Sequence, residues 1–319
     1  MGAKKEREKM TMKKLLALVL TSLLLLSVPA LAENAGEVRI AVVLHAMNSS
    51  FYTKLADGAR AAGADLGITV DVTSPATSSN LAEQVALIEN CIAAEYDGIA
   101  TVTWDPSGFN DVIARAKEAG IPVIGFNQDA EGSGTEAFIG QDFVDSGYQI
   151  GQYMFGKLMG GKGTYLVASC APADSALIAR TAGITKAAEE YPEIKCLGIV
   201  DIGTDLTNAY GVIENAYLAN PDVNAILGVD VFSEAIGTFI AAQGLGGKVL
   251  GAGYDLTEGT LAHVKNGDMQ LTIGQNPFLQ GYYSVMELYL KVAHGQQCLD
   301  INSGAQMVTI DNVANVTPE

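Results

Sequence analysis

Beyond residue 36 the chain alternates short apolar runs with longer amphipathic segments, and few folds accommodate that alternation over a whole chain. RIAVVLH (39–45) precedes a helical pattern over 51–65, ITVDV (68–72) one over 81–94, and GIATVT (98–103) one over 109–119. IPVIGF (121–126) runs into what reads as a loop. The pattern resumes with GTYLVAS (163–169), a helix over 175–190, a strand over 196–201 and a helix over 207–219. AILGV (225–229), a helix over 232–243, KVLGAG (248–253), a helix over 257–266, LTIG (271–274) and a last helix over 279–293 complete it. Uninterrupted apolar strands separated by amphipathic helices imply parallel sheets covered on both faces. The number of units is about twice what one sheet needs, so the expected fold is α/β, with two similar, Rossmann-like, doubly wound domains.

The first 32 residues are of another kind. Lys13 and Lys14 precede LLALVLTSLLLL (15–26), and Ala30-Leu31-Ala32 offers a small-residue cleavage site, the pattern of a secretory signal peptide. The apolar core is short for a membrane span, which needs about 20 residues. The leader holds six of the 19 basic and two of the 36 acidic residues, leaving about 13 against 34 in the remainder. So acidic a surface repels nucleic-acid phosphates, which excludes a nucleic-acid partner. Four cysteines (91, 170, 196, 298) in an oxidising compartment show no CxxC, and three histidines show no ligand spacing, so no metal or other cofactor is expected. The cysteines read as buried free thiols.

In doubly wound sheets ligands sit beyond the carboxyl ends of the strands. Here those ends carry His45 to Tyr52, Trp104-Asp105-Pro106, Asn127-Gln128-Asp129, Cys170 to Ser175, Asp201 to Thr204, Asp230, Tyr254-Asp255 and Gln275-Asn276. The turn HAMNSS has no glycine, so it cannot bring backbone amides against a phosphate. GLGG (244–247) follows a helix and reads as its stop. No GxSxG elbow occurs, and no catalytic residue is assigned. Asp230 and Asp255 are compatible with acid and base in glycoside hydrolysis, but equally with accepting hydroxyl hydrogens. Carboxylates, amides and an arginine suit a neutral polyhydroxylated ligand, whose hydroxyls both donate and accept. Phe51, Tyr52 and Trp104 add faces for the C–H side of a sugar ring, although Phe51 and Tyr52 could equally pack a helix start capped by Ser49 or Ser50.

From Val38 to Val313 the sequence resembles the sugar-type periplasmic substrate-binding proteins of ABC importers, and is similar to the ribose-binding proteins among them. The landmarks are IAVVLHAMNSSFYTKLADGA, IPVIGFNQ, FIGQDFVDSG, ADSALIARTAG, ANPDVNAILGVD, GAGYD and IGQNPFLQGYY, in that order. The resemblance implies a type I periplasmic binding fold with three crossings, near 141, 275 and 306. One lobe is then 36–141 with 276–306 and the other 142–275 with 307–319. It implies ligand contacts at His45, Ser49, Phe51, Tyr52, Asn127, Gln128, Arg180, Thr204, Asp230, Asp255 and Gln275, with Trp104 as a further aromatic. Asn127-Gln128 stands where ribose binders carry Asp-Arg, and Thr204 where an aromatic is common, so ribose itself is not implied. The implied function is capture of a monosaccharide or polyol outside the cytoplasmic membrane and its delivery, by a monomer, to an ABC permease. Signal capture of an autoinducer-2-like molecule, or presentation of a sugar to a chemoreceptor, is the alternative. A repressor core shares the architecture but would begin with a basic helix-turn-helix rather than a leader.

Overall fold

The computed structural model describes residues 38–319, apart from Asn48, Pro106 and Glu131. The expected signal peptide lies outside the described residues. The first half runs β1 (Arg39–Val43), α1 (Ser50–Leu66), β2 (Thr69–Thr73), α2 (Leu81–Ala93), β3 (Gly98–Thr103), α3 (Asn110–Glu118), β4 (Val123–Asp129) and β5 (Phe138–Gly140). The second runs α4 (Phe143–Gly151), prolonged by a π-helical turn Gln152–Leu158, then β6 (Lys162–Ser169), α5 (Ser175–Ala188), β7 (Glu193–Asp201), α6 (Leu206–Ala219) and β8 (Ala225–Gly228). A short 3-10 turn (Val231–Ser233) leads into α7 (Glu234–Ala242), β9 (Leu250–Tyr254), α8 (Glu258–Asn266) and β10 (Leu271–Gly274). The chain ends with α9 (Pro277–His294), β11 (Ile301–Asn302) and β12 (Gln306–Thr309).

These strands form two six-stranded sheets of matching order, β11-β5-β4-β3-β1-β2 and β12-β10-β9-β8-β6-β7. All pairings are parallel except that of β12 with β10. The doubly wound fold expected from the alternation is therefore the fold observed. In each sheet the winding reverses beside the first strand, at β1/β3 and at β6/β8, and this switch point is where such sheets open a crevice. The chain passes between the sheets three times: between β5 and α4, between β10 and α9, and between β11 and β12.

Helices seal the two sheets in the same way. β3 is buried along its whole length, and α9 and α1 cover one face of the first sheet through Leu55, Ala59, Val285 and Leu288. In the second sheet α4 and α5 do the equivalent work through Ile150, Leu177 and Ile184. Both helix pairs touch backbone to backbone. A Cβ on Gly58 would lie 1.9 Å from the Phe278 carbonyl oxygen, and one on Gly281 2.0 Å from that of Leu55. A Cβ on Gly147 would lie 2.0 Å from the Arg180 carbonyl oxygen, and one on Gly183 2.0 Å from that of Val144.

After IPVIGF the strand–helix alternation reads into a loop, and in the structure that loop is followed by β5 and α4 before β6 begins. FVDSGYQIG, which starts within the landmark FIGQDFVDSG, forms α4, and its Gly147 is needed where two helices meet. The cysteines also depart from expectation. Cys91 and Cys298 are buried and Cys170 half-buried, but Cys196 is exposed on β7, the edge strand of its sheet. Gly183→Ala is expected to cost about 1–3 kcal/mol through overpacking. Gly211→Ala, within α6 and with nothing near its Cβ position, should be neutral or stabilise by up to ~1 kcal/mol. Urea unfolding of the two variants checks this; equal effects would contradict the close-contact account.

Candidate functional site

The carboxyl ends of both sheets face one cavity of about 670 Å³. The first sheet contributes His45, Ser49, Phe51, Tyr52, Ser78, Ser79, Asn127 and Gln128. The second contributes Asp174, Arg180, Thr204, Asp230, Phe232 and Asp255, with Gln275 from the crossing after β10 and Phe143 from the start of α4. A groove of about 590 Å³ lies at the opposite, amino ends of β3 and β4, beside Tyr96, Asp97 and Ile121. Doubly wound sheets do not place their ligands at that end.

The wall from the first sheet has no charged residue. Two residues beyond β1 lies buried His45, whose Nε2 is 2.8 Å from the Tyr52 hydroxyl. Burial pushes the imidazole down to about 4, so it is neutral at pH 7, and its Nδ1 is buried without a protein partner. Burial and the charge of Asp255 both raise the Tyr52 hydroxyl above its ordinary range. Phe51 sits edge-on to Tyr52, with ring centroids 5.5 Å apart. Ser49 occupies the N-cap of α1 with extended backbone, but its side chain makes no cap bond; its carbonyl accepts from Thr53 instead. The Ser49 hydroxyl is therefore left to the cavity. Asn127 holds a left-handed backbone at a bulge in β4 (φ +64°) and donates to Gln280 Oε1.

The opposite wall is charged. Arg180 is 4 % exposed on α5. Its Nη1 donates to the Val229 carbonyl (2.9 Å) and its Nη2 to Gln141 Oε1 (3.1 Å), while Nε has no protein partner. The guanidinium lies 3.9 Å from the Tyr254 ring centroid and 5.1 Å from that of Phe143, a cation–π arrangement. Asp230 accepts from the Cys170 and Phe232 amides, which pins the ends of β6 and β8 together. Asp255 takes the Gln275 side-chain amide at 2.6 Å from a left-handed backbone (φ +66°). Burial raises both carboxyls; for Asp255 the Arg180 charge and the Gln275 hydrogen bond partly offset it.

Of the twelve residues read from the sequence, eleven line this cavity, and Trp104 does not. The reason lies with Gln84, fully buried on α2. Its Nε2 donates to Thr101 Oγ1 and to the Val102 carbonyl, and its Oε1 then needs a donor. The Trp104 indole N–H supplies it at 3.0 Å, turning the ring onto Phe109 in the core. Phe143 and Phe232 line the cavity in its stead, and neither was singled out from the sequence. Glu319 was missed as well. Its carboxylate accepts from the Asn276 amide (3.1 Å) and the Gln275 amide (3.4 Å), and its own amide donates to Leu256. No periodic pattern marks such a residue, because its partners are 43 and 44 positions away.

Residues 40–297 match the family model described as periplasmic binding protein domain. The chain belongs to that family. It is 26 % identical over 296 residues to the xylose/arabinose-binding protein of Sulfolobus acidocaldarius, covering 86 % of this chain and 72 % of that one. It is 25 % identical to the ribose import binding protein of Bacillus subtilis over 90 % of this chain and 95 % of that one. A solute-binding protein of an ABC transporter from Burkholderia graminis, solved with D-arabinose, superposes with a TM-score of 0.81 at 28 % identity, over 89 % of this chain and 99 % of that one. The family is one of substrate-binding proteins.

The titratable groups of the site predict a pH signature. Burial, aided by the charge of Asp255, pushes the Glu319 carboxyl up to about 7. A raised carboxyl binds its proton more tightly in the folded state, so its contribution to stability is present below about 4.5 and is lost as pH rises through about 7. Asp230 and Asp255 act with the same sign. His45 acts oppositely: its depressed value removes stability as pH falls from 6.5 towards 4. Glu319→Gln isolates one contribution. The variant should gain on the parent progressively between pH 4.5 and 7 in thermal unfolding, then hold a constant difference; parallel profiles would contradict the assignment.

Proposed function

We propose that this protein captures a monosaccharide or related polyol between its two halves outside the cytoplasmic membrane and hands it to an ABC permease. The observation that carries the reading is one cavity walled by two sheets, neutral and aromatic on one side, charged on the other. The sugars named for the relatives and for the superposing structure are consistent with that chemistry. Asp230, Asp255, Arg180, Asn127, Gln128 and Gln275 hold hydroxyls, and hydrogen bonds to charged groups contribute about 1.5–3 kcal/mol each. Phe51, Tyr52 and Phe143 cover the apolar side of the ring. His45, Ser49 and Thr204 complete the contacts.

A ligand that touches both walls favours the closed form only to the extent that it binds it better than the open one. The moving bodies are residues 36–141 with 276–306 and residues 142–275 with 307–319. Reversing a 1:99 bias towards the open form takes about 5.5 kcal/mol of differential affinity. The protein acts as a monomer, exported by its leader, and binds without turnover. The permease reads the closed form, and a chemoreceptor is the second partner that such a form can serve.

The test is a thermal-shift screen of pentoses, hexoses, polyols and amino sugars on residues 33–319. A sugar at 100 times its Kd adds about 2.7 kcal/mol of stability. For the best sugar, Arg180→Ala and Asp255→Ala should each weaken calorimetric binding about tenfold or more while the circular dichroism spectrum is kept. No shift with any of the four classes would sink the capture reading, and unchanged affinity in both variants would sink the residue assignment.

A further inference from the structure

Gln141 follows β5 at the first passage between the sheets and is 1 % exposed. Its Nε2 donates to the Gly274 carbonyl (3.3 Å) and to the Gly304 carbonyl (3.2 Å). Gly274 closes β10 at the second passage, and Gly304 lies in the third, between β11 and β12. Its Oε1 accepts from Arg180 Nη2 at 3.1 Å. One buried amide therefore touches all three passages and the guanidinium that faces the cavity.

The orientation of this amide is fixed by chemistry. Carbonyl oxygens only accept and a guanidinium only donates, so the amide nitrogen must face the two glycines and the oxygen must face Arg180. Flipping it would set donor against donor and acceptor against two acceptors. Among the described residues no other side chain spans this set. Gln280 bonds the Gln275 carbonyl and the Ser303 hydroxyl, Asn276 bonds the Ser303 carbonyl, and Ser303 bonds the Gln275 carbonyl. That second network ties the second and third passages and does not reach Arg180. On the far side, Arg180 is held by the carbonyl of Val229, one residue before Asp230.

We propose that Gln141 is a positioning residue that couples the Arg180 guanidinium to the three interlobe passages, so that one amide senses both ligand capture and the relative setting of the halves. The proposal rests on the capture reading for its ligand-dependent part. A rotation that alters the spacing of the Gly274 and Gly304 carbonyls displaces the amide and with it the guanidinium of Arg180, which lines the cavity. A ligand that immobilises Arg180 biases the passages in return, because coupling between two sites is reciprocal. Gln141 touches no cavity surface, so its influence on affinity runs through Arg180.

The test uses Gln141→Met, which keeps the length and removes the hydrogen bonds, with Ser303→Ala as the hinge control. D-ribose, D-allose and D-arabinose serve as probes, together with the best sugar of the thermal-shift screen. Gln141→Met should weaken binding about tenfold, and in a double-mutant cycle with Arg180→Lys the two losses should be strongly sub-additive. Ser303→Ala should lower the melting temperature and leave affinity within about twofold. A Gln141→Met protein that melts lower yet binds as the parent does, or whose loss adds fully to that of Arg180→Lys, would overturn the proposal. Hydrogen exchange of the sugar-free protein separates this from failure of the capture reading. Even if no probe binds the parent, Gln141→Met should speed exchange both at 140–142, 274–276 and 303–305 and at 228–232, where Arg180 is anchored. Faster exchange at the passages alone would mean that Gln141 is only a hinge fastener, and would also overturn it.

Discussion

A buried guanidinium organises this molecule. Arg180 forms no ion pair with any carboxylate among the described residues, and a buried charge left without partners is costly. Its charge is instead met by the Val229 carbonyl, the Gln141 amide and the faces of Phe143 and Tyr254, drawn from three separate parts of the chain. To bring them together α5 must pack on α4 closely enough that glycine is required at 147, against the carbonyl of Arg180 itself. The close helix contact and the cationic wall of the cavity are thus two consequences of one arrangement. Gln141 extends it to the passages between the sheets.

Backbone strain concentrates around the cavity. Five non-glycine residues among those described have positive φ, and three of them, Ser79, Asn127 and Asp255, line the cavity, while a fourth, Asn276, follows Gln275. Such conformations cost about 1–3 kcal/mol each and persist where surrounding contacts fix them. Here the fixing contacts are visible: Ser79 N–H on the His45 carbonyl, Asn127 on Gln280, Asp255 on Gln275 and Asn276 on Ser303. The polar groups of the site are therefore set in place before any ligand arrives.

Most of the fold could be read from the sequence because parallel strands buried on both faces leave continuous apolar runs, as in GIATVT and LTIG. β5 and β11 escaped because strands of two or three residues carry no period to detect, and β12 because QMVT begins and ends on polar residues, unlike the apolar runs of β8 and β10. The site was legible for residues that end strands, since topology alone brings those ends to one crevice. Direction was not legible. Trp104 ends β3 as expected, yet the unmet acceptor of Gln84 turns it inward. Gln141 and Glu319 gave no sign, because what makes them matter is contacts spanning 39 to 163 residues for the one and 43 to 44 for the other.

In the proposed function a sugar is held between two halves that close on it. Small-angle X-ray scattering of residues 33–319, with and without the sugar that binds best in calorimetry, tests it directly. Closure on the sugar gives a smaller radius of gyration and maximum dimension in the bound state, with the change abolished by Arg180→Ala at the same sugar concentration. Saturated binding with an unchanged scattering profile would contradict capture by closure.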